Sequence, residues 1–224
     1  MIVYFVLRLL DPAVENGVGR RGKWIRDLRL WRYLDSYFPC SITLEEPLNP
    51  SDQYVLGYHP HGSFVHGLQI LGLRKMPELE QHLGDVRVCM NPVALRLPFS
   101  GEYYLTLGGV SCSRQSIRAL LRSNNSSALI VVGGVPEMLH GEPGKPELCL
   151  NNHKGFVREA ILSGASLVPL YMFGETSVYR RLPVCPRSAI SRANHWFRNK
   201  FKIAFPLYYG RCFILPNRTE FHCV

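Results

Sequence analysis

The order of apolar and polar residues along the chain predicts buried strands that alternate with helices. Runs of apolar, branched and aromatic residues are typical of strands that are buried on both faces of a parallel sheet. Such runs occupy residues 54–56, 86–90, 128–132 and 166–173. Helical periodicity is present after Gly62 and over residues 114–122 and 154–163. The pattern predicts an α/β fold with a mostly parallel central sheet that is flanked by helices.

The N-terminal part of the chain has a different pattern. Residues 1–10 are apolar, but they are far fewer than the roughly 20 residues that a membrane-spanning helix needs. They are compatible with the end of a longer membrane segment, an interfacial anchor or a core helix. Residues 23–38 form an amphipathic pattern with Trp24, Leu28, Trp31 and Leu34 on one face. This pattern is typical of a helix at a membrane interface, and equally of a surface helix that packs on a core.

These patterns divide the chain into two parts. Residues 1–38 are predicted to form a membrane-associated segment with an amphipathic helix, and residues 39–224 one domain. A chain of 224 residues is long enough to bury one sizeable core. Its seven cysteines are an odd number without a CxxC pair, which favours a reducing environment such as the cytosol.

The net charge of +9 is concentrated near the C-terminal end. Nine basic residues and no acidic residue lie between Thr176 and Thr219, whereas the remainder has 17 basic and 17 acidic residues. A long segment of one sign predicts an anionic partner, such as phospholipid headgroups or a nucleotide-bearing substrate. Nucleic acid is the weakest of these interpretations because no recognised binding motif accompanies the charge.

The candidate chemistry begins at a histidine turn. The apolar run before Gly57 leads into Tyr58-His-Pro-His-Gly62, which the pattern places between a strand and a helix. Because an imidazole titrates near neutral pH, His59 or His61 could act as the general base that deprotonates a hydroxyl. Two alternatives stay open: the histidines could form only local hydrogen bonds, or they could supply two metal ligands. The turn itself contains no carboxylate, and the chain has no GxSxG motif of a serine hydrolase.

Three further side chains could contribute to this site. Glu137 follows a buried run in a glycine-containing segment, which predicts a loop glutamate that orients a histidine, holds a polar substrate or is simply solvated. Glu175 follows the last predicted strand. Lys154 lies near the start of a predicted helix, where its charge opposes the helix dipole, so it either binds an anionic group or is solvated.

Several short blocks in one order resemble the type-2 diacylglycerol acyltransferase family, which includes monoacylglycerol and wax-alcohol acyltransferases. The blocks are Tyr58-His-Pro-His-Gly62, Val132-Gly-Gly, Lys154-Gly-Phe-Val157, Ala165-Ser-Leu-Val-Pro169 and Phe173-Gly-Glu175. Gly19-Arg-Arg21, Trp24-Ile-Arg26, Ser113-Arg114 and Pro143-Gly144 add to the resemblance, which runs from about Tyr4 to Gly210.

The resemblance implies an enzyme of the endoplasmic reticulum membrane whose catalytic domain, residues 39–224, faces the cytosol and is similar to glycerolipid acyltransferases. Its expected reaction transfers a fatty acyl group from acyl-CoA to a hydroxyl of diacylglycerol or monoacylglycerol in triacylglycerol synthesis. The expected partners are acyl-CoA, mono- or diacylglycerol and membrane lipids. Nucleic acid is not an expected partner, and the formation of a homo-oligomer stays open. Acyl-CoA is a co-substrate, and neither a cofactor nor a metal is expected.

The family motifs also assign residues. His61 is the expected base, with His59 and Glu175 as further catalytic candidates. Glu137 is added to them because of its position after a buried run. Expected substrate-binding residues are Pro60, Gly62, Lys154, Gly155 and Phe156. The more distant acyltransferases with a His-x4-Asp dyad differ, since neither histidine has an aspartate four residues later. A carboxylate that assists His61 is therefore expected from Glu137 or Glu175.

Departures from the family pattern leave alternatives open. Residues 1–10 resemble only the final part of the family's hydrophobic hairpin, and the tail 218–224 looks unrelated to the family. We therefore expect a chain that is shortened at both ends, with an incomplete C-terminal part. The alternatives are a catalytically weak lipid- or membrane-binding form, a wax-alcohol acyltransferase and a histidine-dependent metal hydrolase.

Overall fold

A computed structural model describes most of the chain. The described residues are 4, 7, 10–15, 20, 28–73, 82–123, 126–145, 147–151, 153–185, 187–201, 203–204 and 206–224. Most of the predicted N-terminal apolar segment and the first part of the predicted amphipathic helix lie outside these residues. The predicted membrane association of residues 1–38 therefore stays a prediction.

A seven-stranded sheet forms the centre of the described structure. Its strands are β1 (Cys40–Ile42), β2 (Tyr54–His59), β3 (Asp85–Met90), β4 (Val110–Ser111), β5 (Ser126–Val131), β6 (Ser166–Phe173) and β9 (Phe221–Cys223). The strand order is β1-β9-β6-β2-β5-β3-β4, and all neighbours are parallel except β6 and β9. Strands β7 (Arg180–Arg181) and β8 (Tyr208–Tyr209) form a separate antiparallel pair. The predicted α/β class with a mostly parallel sheet is confirmed.

Helices connect these strands. They are α1 (Arg29–Tyr37), α2 (His66–Leu73), α3 (Pro92–Arg96), α4 (Ser100–Thr106), α5 (Arg114–Arg122), α6 (Gly134–His140), α7 (Gly155–Ser163) and α8 (Ala189–Phe201). Two short 3₁₀ helices span Pro12–Val14 and Glu175–Ser177. Within the described part of the chain, no helix combines the length and the apolar composition that are needed to cross a membrane.

Strand β2 lies in the middle of the sheet and continues further than the sequence predicts. All six of its residues are buried, and it pairs with β5 on one side and β6 on the other. The prediction that the strand ends at Gly57 is wrong. Gly57 pairs with Ile130 and with Pro169, and a Cβ there would lie 3.7 Å from the ring of Phe156. Pairing on both sides overrides the weak strand propensity of glycine and extends β2 to His59.

The core lies on both faces of this sheet. Leu56, Tyr58 and Phe221 belong to a cluster with residues of α2. Val55, on the opposite face, belongs to a cluster with residues of α5 and α7. This division follows from the alternation of side chains along a strand. In the described part of the predicted amphipathic helix, Leu34 packs against the first cluster, as a surface helix would.

The C-terminal tail is part of the sheet. Phe221 and Cys223 are completely buried in β9, between β1 and β6. The backbone N–H of Phe221 donates to the carbonyl of Pro39, and Val224 and Tyr171 exchange backbone hydrogen bonds. The segment that looks unrelated to the family in sequence therefore supplies an interior strand of the sheet, next to the edge strand β1.

Candidate active site

The candidate residues meet at one edge of the sheet because three parallel strands end there. β2 ends at His59, β5 at Val131 and β6 at Phe173. β2 pairs in parallel with both of the others. The segments that follow these strands carry His61, Glu137 and Glu175. The carboxyl-terminal edge of a parallel sheet is where α/β proteins place their binding and catalytic groups.

Glu137 lies on a helix rather than in the predicted loop. Helix α6 begins at Gly134 and includes Glu137 near its start. The prediction of a loop over residues 133–137 is wrong because Pro136 falls in the first turn of the helix, where a missing N–H costs no hydrogen bond. The helix directs the carboxylate of Glu137 inward, and the residue is only 1% exposed.

Glu137 forms the carboxylate half of a histidine–carboxylate pair. The Nδ1–H of His59 donates to Oε1 of Glu137 across 2.7 Å. The backbone N–H groups of Cys149 and His61 donate to the same carboxylate at 2.9 Å and 3.0 Å. Burial alone would raise the pKa of Glu137, but these three hydrogen bonds and the charge of His59 outweigh it and lower the pKa below its ordinary value. The carboxylate is therefore ionised at neutral pH and fixes the His59 ring with Nε2 as the free acceptor.

His61 has different partners. Its Nδ1–H donates to the carbonyl of Gly62 across 3.1 Å. No hydrogen bond or ion pair joins its ring to a carboxylate of the described residues. Burial lowers the pKa of His61 from its ordinary value, although the Gly62 carbonyl and the charge of Glu137 oppose this. The His61 ring is therefore neutral, with an available Nε2, but only its backbone contacts Glu137.

Glu175 is buried beneath the histidine turn and forms hydrogen bonds with the residues on either side of it. This completely buried carboxylate accepts hydrogen bonds of 2.7 Å from Tyr58 Oη–H and from the backbone N–H groups of His66 and Gly67. Burial raises the pKa of Glu175 to about 7, against the effect of these donors. Glu175 thus fixes the start of α2 and the end of β2, and it does not contact the imidazole of His61 by a hydrogen bond.

Pro60 lies between the two histidines of the turn, and Gly62 directly follows His61. Gly62 has φ +56°, and a Cβ there would lie 2.6 Å from Cγ of Glu175. Only glycine combines this backbone conformation with such a close approach. The His59–Pro60 peptide bond is cis. The turn therefore requires glycine at position 62 for a structural reason, in addition to the expected role of Gly62 near substrate.

The expected residues of the Lys154 block lie at the start of α7. Lys154 precedes α7, is exposed, and makes no ion pair with the described carboxylates. Gly155 faces open space. The ring of Phe156 packs in the cluster beneath β2. The N-terminus of α7 lies at the carboxyl edge of the sheet, because α7 leads back to the start of the parallel strand β6.

Sequence reasoning missed three contributors. Gly133 leaves the space that the carboxylate of Glu137 occupies, since a Cβ there would overlap it. Tyr58 supplies a hydroxyl to Glu175, and Cys149 supplies a backbone N–H to Glu137. The family blocks contain Gly133 and Tyr58, but a backbone donor such as that of Cys149 has no signal in a sequence. Among the described residues, no group of three His, Cys, Asp or Glu side chains could hold a metal ion.

The fold and this geometry define an α/β protein with a buried histidine–carboxylate pair at the carboxyl edge of its sheet. Comparison with known proteins gives the particular family. The model of the diacylglycerol acyltransferase family matches residues 1–220. The chain belongs to the diacylglycerol acyltransferase family, and the resemblance seen in its sequence motifs is confirmed.

Individual relatives show the range of this similarity. Diacylglycerol O-acyltransferase 2B of Umbelopsis ramanniana is 36% identical over 94% of this chain and 61% of its own length. Acyl-CoA wax alcohol acyltransferase 1 of Mus musculus is 35% identical over 94% of this chain and 65% of its own length. Diacylglycerol O-acyltransferase 2 of Homo sapiens is 36% identical over 81% of this chain and 48% of its own length. The chain thus spans less than two thirds of the length of these relatives. No solved structure matches it significantly.

Proposed function

We propose that this protein is an acyl-CoA-dependent O-acyltransferase that transfers a fatty acyl group to a hydroxyl of diacylglycerol or monoacylglycerol. The observation that carries the proposal is the 2.7 Å hydrogen bond between His59 and the buried carboxylate of Glu137. Such a pair orients an imidazole with Nε2 directed away from the carboxylate, where it can accept the proton of an alcohol nucleophile.

The proposed reaction needs one proton acceptor and no covalent enzyme intermediate. The acceptor hydroxyl gives its proton to Nε2 of His59 while its oxygen attacks the thioester carbonyl. Glu137 stabilises the imidazolium that forms, because its carboxylate already accepts the Nδ1–H. When the tetrahedral intermediate collapses, the C–S bond breaks and the CoA sulfur takes the proton from His59. The products are an ester and free CoA.

Oxyanion stabilisation has a candidate at the start of α7. The first N–H groups of a helix have no partner within the helix and favour negative charge. Lys154 directly precedes α7 and adds an exposed positive charge at the same edge of the sheet. We assign the stabilisation of the thioester oxygen to this helix start, with Lys154 as its positive side chain.

The family motif predicts His61 as the base, whereas the geometry points to His59. The geometry favours His59 because Glu137 binds the ring of His59 and only the backbone of His61. Both rings belong to one turn, and burial keeps the pKa of His61 below its ordinary value. The proposal therefore gives His59 the proton transfer and His61 a place beside the substrate, and substitutions separate these roles.

We also propose a setting for the enzyme. We place it at the cytosolic face of the endoplasmic reticulum membrane, where its lipid acceptors are available. The basic segment between Thr176 and Thr219 suits an anionic membrane surface. Wax-alcohol acyl transfer is a second candidate function, because a relative with 35% identity carries that name.

A product assay tests the proposal. The purified full chain in detergent–lipid micelles is given radiolabelled oleoyl-CoA and, separately, monoacylglycerol, diacylglycerol or a long-chain alcohol. We expect labelled neutral lipid from a glycerolipid, and a loss of about 100-fold or more in His59→Ala. His195→Ala, which changes an exposed histidine of α8, is the matched control and should retain the wild-type rate. Labelled wax ester alone would favour the second candidate.

The remaining alternatives have distinct outcomes in the same experiment. A preparation that binds lipid vesicles but forms no ester with any acceptor would favour a lipid-binding protein. Metal in stoichiometric amount in the purified chain, together with chelator-sensitive hydrolysis, would favour a metal hydrolase. Either result would overturn the acyl-transfer proposal.

A further inference from the structure

A cleft beside the candidate active site has the features of an anion-binding site. Its volume is about 540 Å³. Residues from three separate segments line it, namely Pro143 after α6, Ser177 with Arg180, and Tyr209 with Asn217–Thr219. The cleft is therefore formed by the fold and does not result from a single flexible loop.

The lining of the cleft is positively charged and rich in hydrogen-bond donors. Arg180 and Arg218 are exposed, and no ion pair occupies either guanidinium within the described part of the chain. Ser177, Thr219 and Tyr209 add hydroxyl groups, and none of the lining residues is acidic. Two free guanidinium groups with neighbouring hydroxyls suit the oxygens of a phosphate ester.

Backbone contacts hold this lining in place. The N–H of Asn217 donates to the carbonyl of Val178 across 2.9 Å, and its side-chain amide donates to the carbonyl of Ser177 across 3.3 Å. Arg180 pairs with Tyr209 in the β7–β8 ladder. A preorganised site loses less entropy when it binds a ligand than a mobile one does.

The cleft is also joined to the candidate active site by two short connections. The 3₁₀ helix Glu175–Ser177 carries Glu175 under the histidine turn and Ser177 in the cleft wall. On the other side, Tyr208 Oη–H donates to the carbonyl of Met138 across 3.1 Å, which ties β8 to the helix that bears Glu137. A ligand in the cleft would therefore lie at the same edge of the sheet as the histidine–carboxylate pair.

We propose that this cleft binds a phosphate group of the acyl-CoA donor, with Arg180 and Arg218 as its charged ligands. The inference rests on the proposed acyl transfer, because acyl-CoA is the phosphate-bearing substrate of that reaction. A phosphate held here would anchor the nucleotide end of CoA while its flexible arm carries the thioester to the histidine turn. An anionic phospholipid headgroup presents the same phosphate chemistry, so the experiment must separate the two sources.

Binding of free CoA to the full chain tests the cleft without any turnover. Equilibrium dialysis compares the wild type with the double variant Arg180→Gln/Arg218→Gln, and a control double variant Arg192→Gln/Arg198→Gln removes the same charge from α8. We expect the cleft variant to weaken CoA binding at least about tenfold and the control less than about twofold. Pantetheine, which lacks the phosphates, should bind all three proteins alike.

Co-sedimentation with phosphatidylcholine vesicles that contain phosphatidic acid provides the second arm. The proposal expects the two double variants to lose vesicle binding equally. A loss of vesicle binding specific to the cleft variant, with CoA binding unchanged, would assign the cleft to a lipid headgroup and overturn the CoA assignment. Equal weakening of CoA binding by both double variants would show a diffuse charge effect and would also overturn it.

Failure of the cleft and failure of the enzymatic function are distinguishable. If the cleft variant loses CoA binding but the wild type makes no ester with any acceptor, the result supports the CoA-binding site and contradicts the proposed function. If the wild type makes ester and the cleft variant keeps its KM for acyl-CoA, the function stands and the cleft assignment falls. Because both arginines are exposed, their replacement should leave the thermal unfolding midpoint unchanged, which circular dichroism verifies.

Discussion

The carboxylate of Glu137 occupies the space that a side chain at position 133 would fill, and Gly133 leaves this space open. A Cβ built on Gly133 would overlap the carboxylate carbon and both oxygens of Glu137. The backbone of Gly133 has φ −70°, so any residue could adopt its conformation. The requirement for glycine here is therefore purely steric and concerns the orientation of the group that binds His59.

We expect Gly133→Ala to reduce acyl transfer by about 100-fold or more, because the methyl group displaces Glu137 from His59. Gly134→Ala is the matched control, since Gly134 faces open space but has φ +54°. That substitution should cost about 1 kcal/mol of stability through backbone strain and retain activity. Initial rates and urea unfolding of both variants check this.

The double variant Gly133→Ala/Glu137→Ala distinguishes a displaced carboxylate from a protein that fails to fold. Removing the carboxylate makes room for the new methyl group, so the double variant should be more stable than Gly133→Ala and remain inactive. Wild-type activity in Gly133→Ala would show that Glu137 does not need its observed position.

Glu137→Gln should lower kcat by about 100-fold or more with little change in KM for acyl-CoA. The carboxylate acts through the His59 ring, and an amide can accept at only one of the two positions that now accept three N–H groups. If His59 is the base, His59→Ala and Glu137→Gln together should cost no more than His59→Ala alone. Initial rates over a range of acyl-CoA concentrations provide the measurement.

The same series separates the two histidines. A rate loss in His61→Ala that exceeds the loss in His59→Ala, with additive effects of His59→Ala and Glu137→Gln, would make His61 the base that the family motif predicts. Glu142→Gln, at an exposed position near the end of α6, should leave kcat unchanged.

Glu175 should make stability fall as the pH rises from about 4.5 to about 7. Burial raises the pKa of Glu175 from 4.5 to about 7, so the folded protein holds a proton in this range that the unfolded chain has released. The stabilisation is complete below the unfolded pKa and is lost as the pH rises through the folded pKa, for a total of roughly 3 kcal/mol. Glu175→Gln cannot titrate and should lack this contribution.

Urea unfolding of the wild type and Glu175→Gln at several pH values measures this contribution as a difference. Titrating groups that lie away from Glu175 contribute to both proteins and largely cancel, whereas His66, whose Nδ1 lies 4.0 Å from Oε1 of Glu175, does not. The stability of the variant relative to the wild type should rise between pH 5 and pH 8. A constant difference over this range would mean that Glu175 is already ionised in the folded protein at low pH.

The tail strand should be essential for stability. Phe221 is completely buried in β9 and its ring centroid lies 5.6 Å from that of Phe38, so Phe221→Ala should cost about 3–5 kcal/mol of unfolding free energy. Phe213→Ala removes the same atoms from a side chain that is 80% exposed and should change stability by less than about 0.5 kcal/mol. Equal unfolding midpoints in urea would show that the tail does not form the strand.

The sequence by itself determined the fold class and the pool of candidate residues. Helix 114–122 and strand 166–173 have the predicted bounds, because local periodicity and apolar composition reflect burial directly. The family motifs named both histidines and Glu175, the segment after a buried run named Glu137, and the one-signed charge near the C-terminal end predicts an anionic partner.

The tertiary structure decided which of these groups meet. It extended β2 through Gly57, placed Glu137 on a helix, and directed that carboxylate to the ring of His59 rather than His61. It also made an interior strand of the sheet from the C-terminal tail. These outcomes depend on contacts between segments that lie far apart in the chain. The carboxylate of Glu137 binds the imidazole that the ends of the strands bring within 3 Å of it. No local sequence pattern encodes that distance.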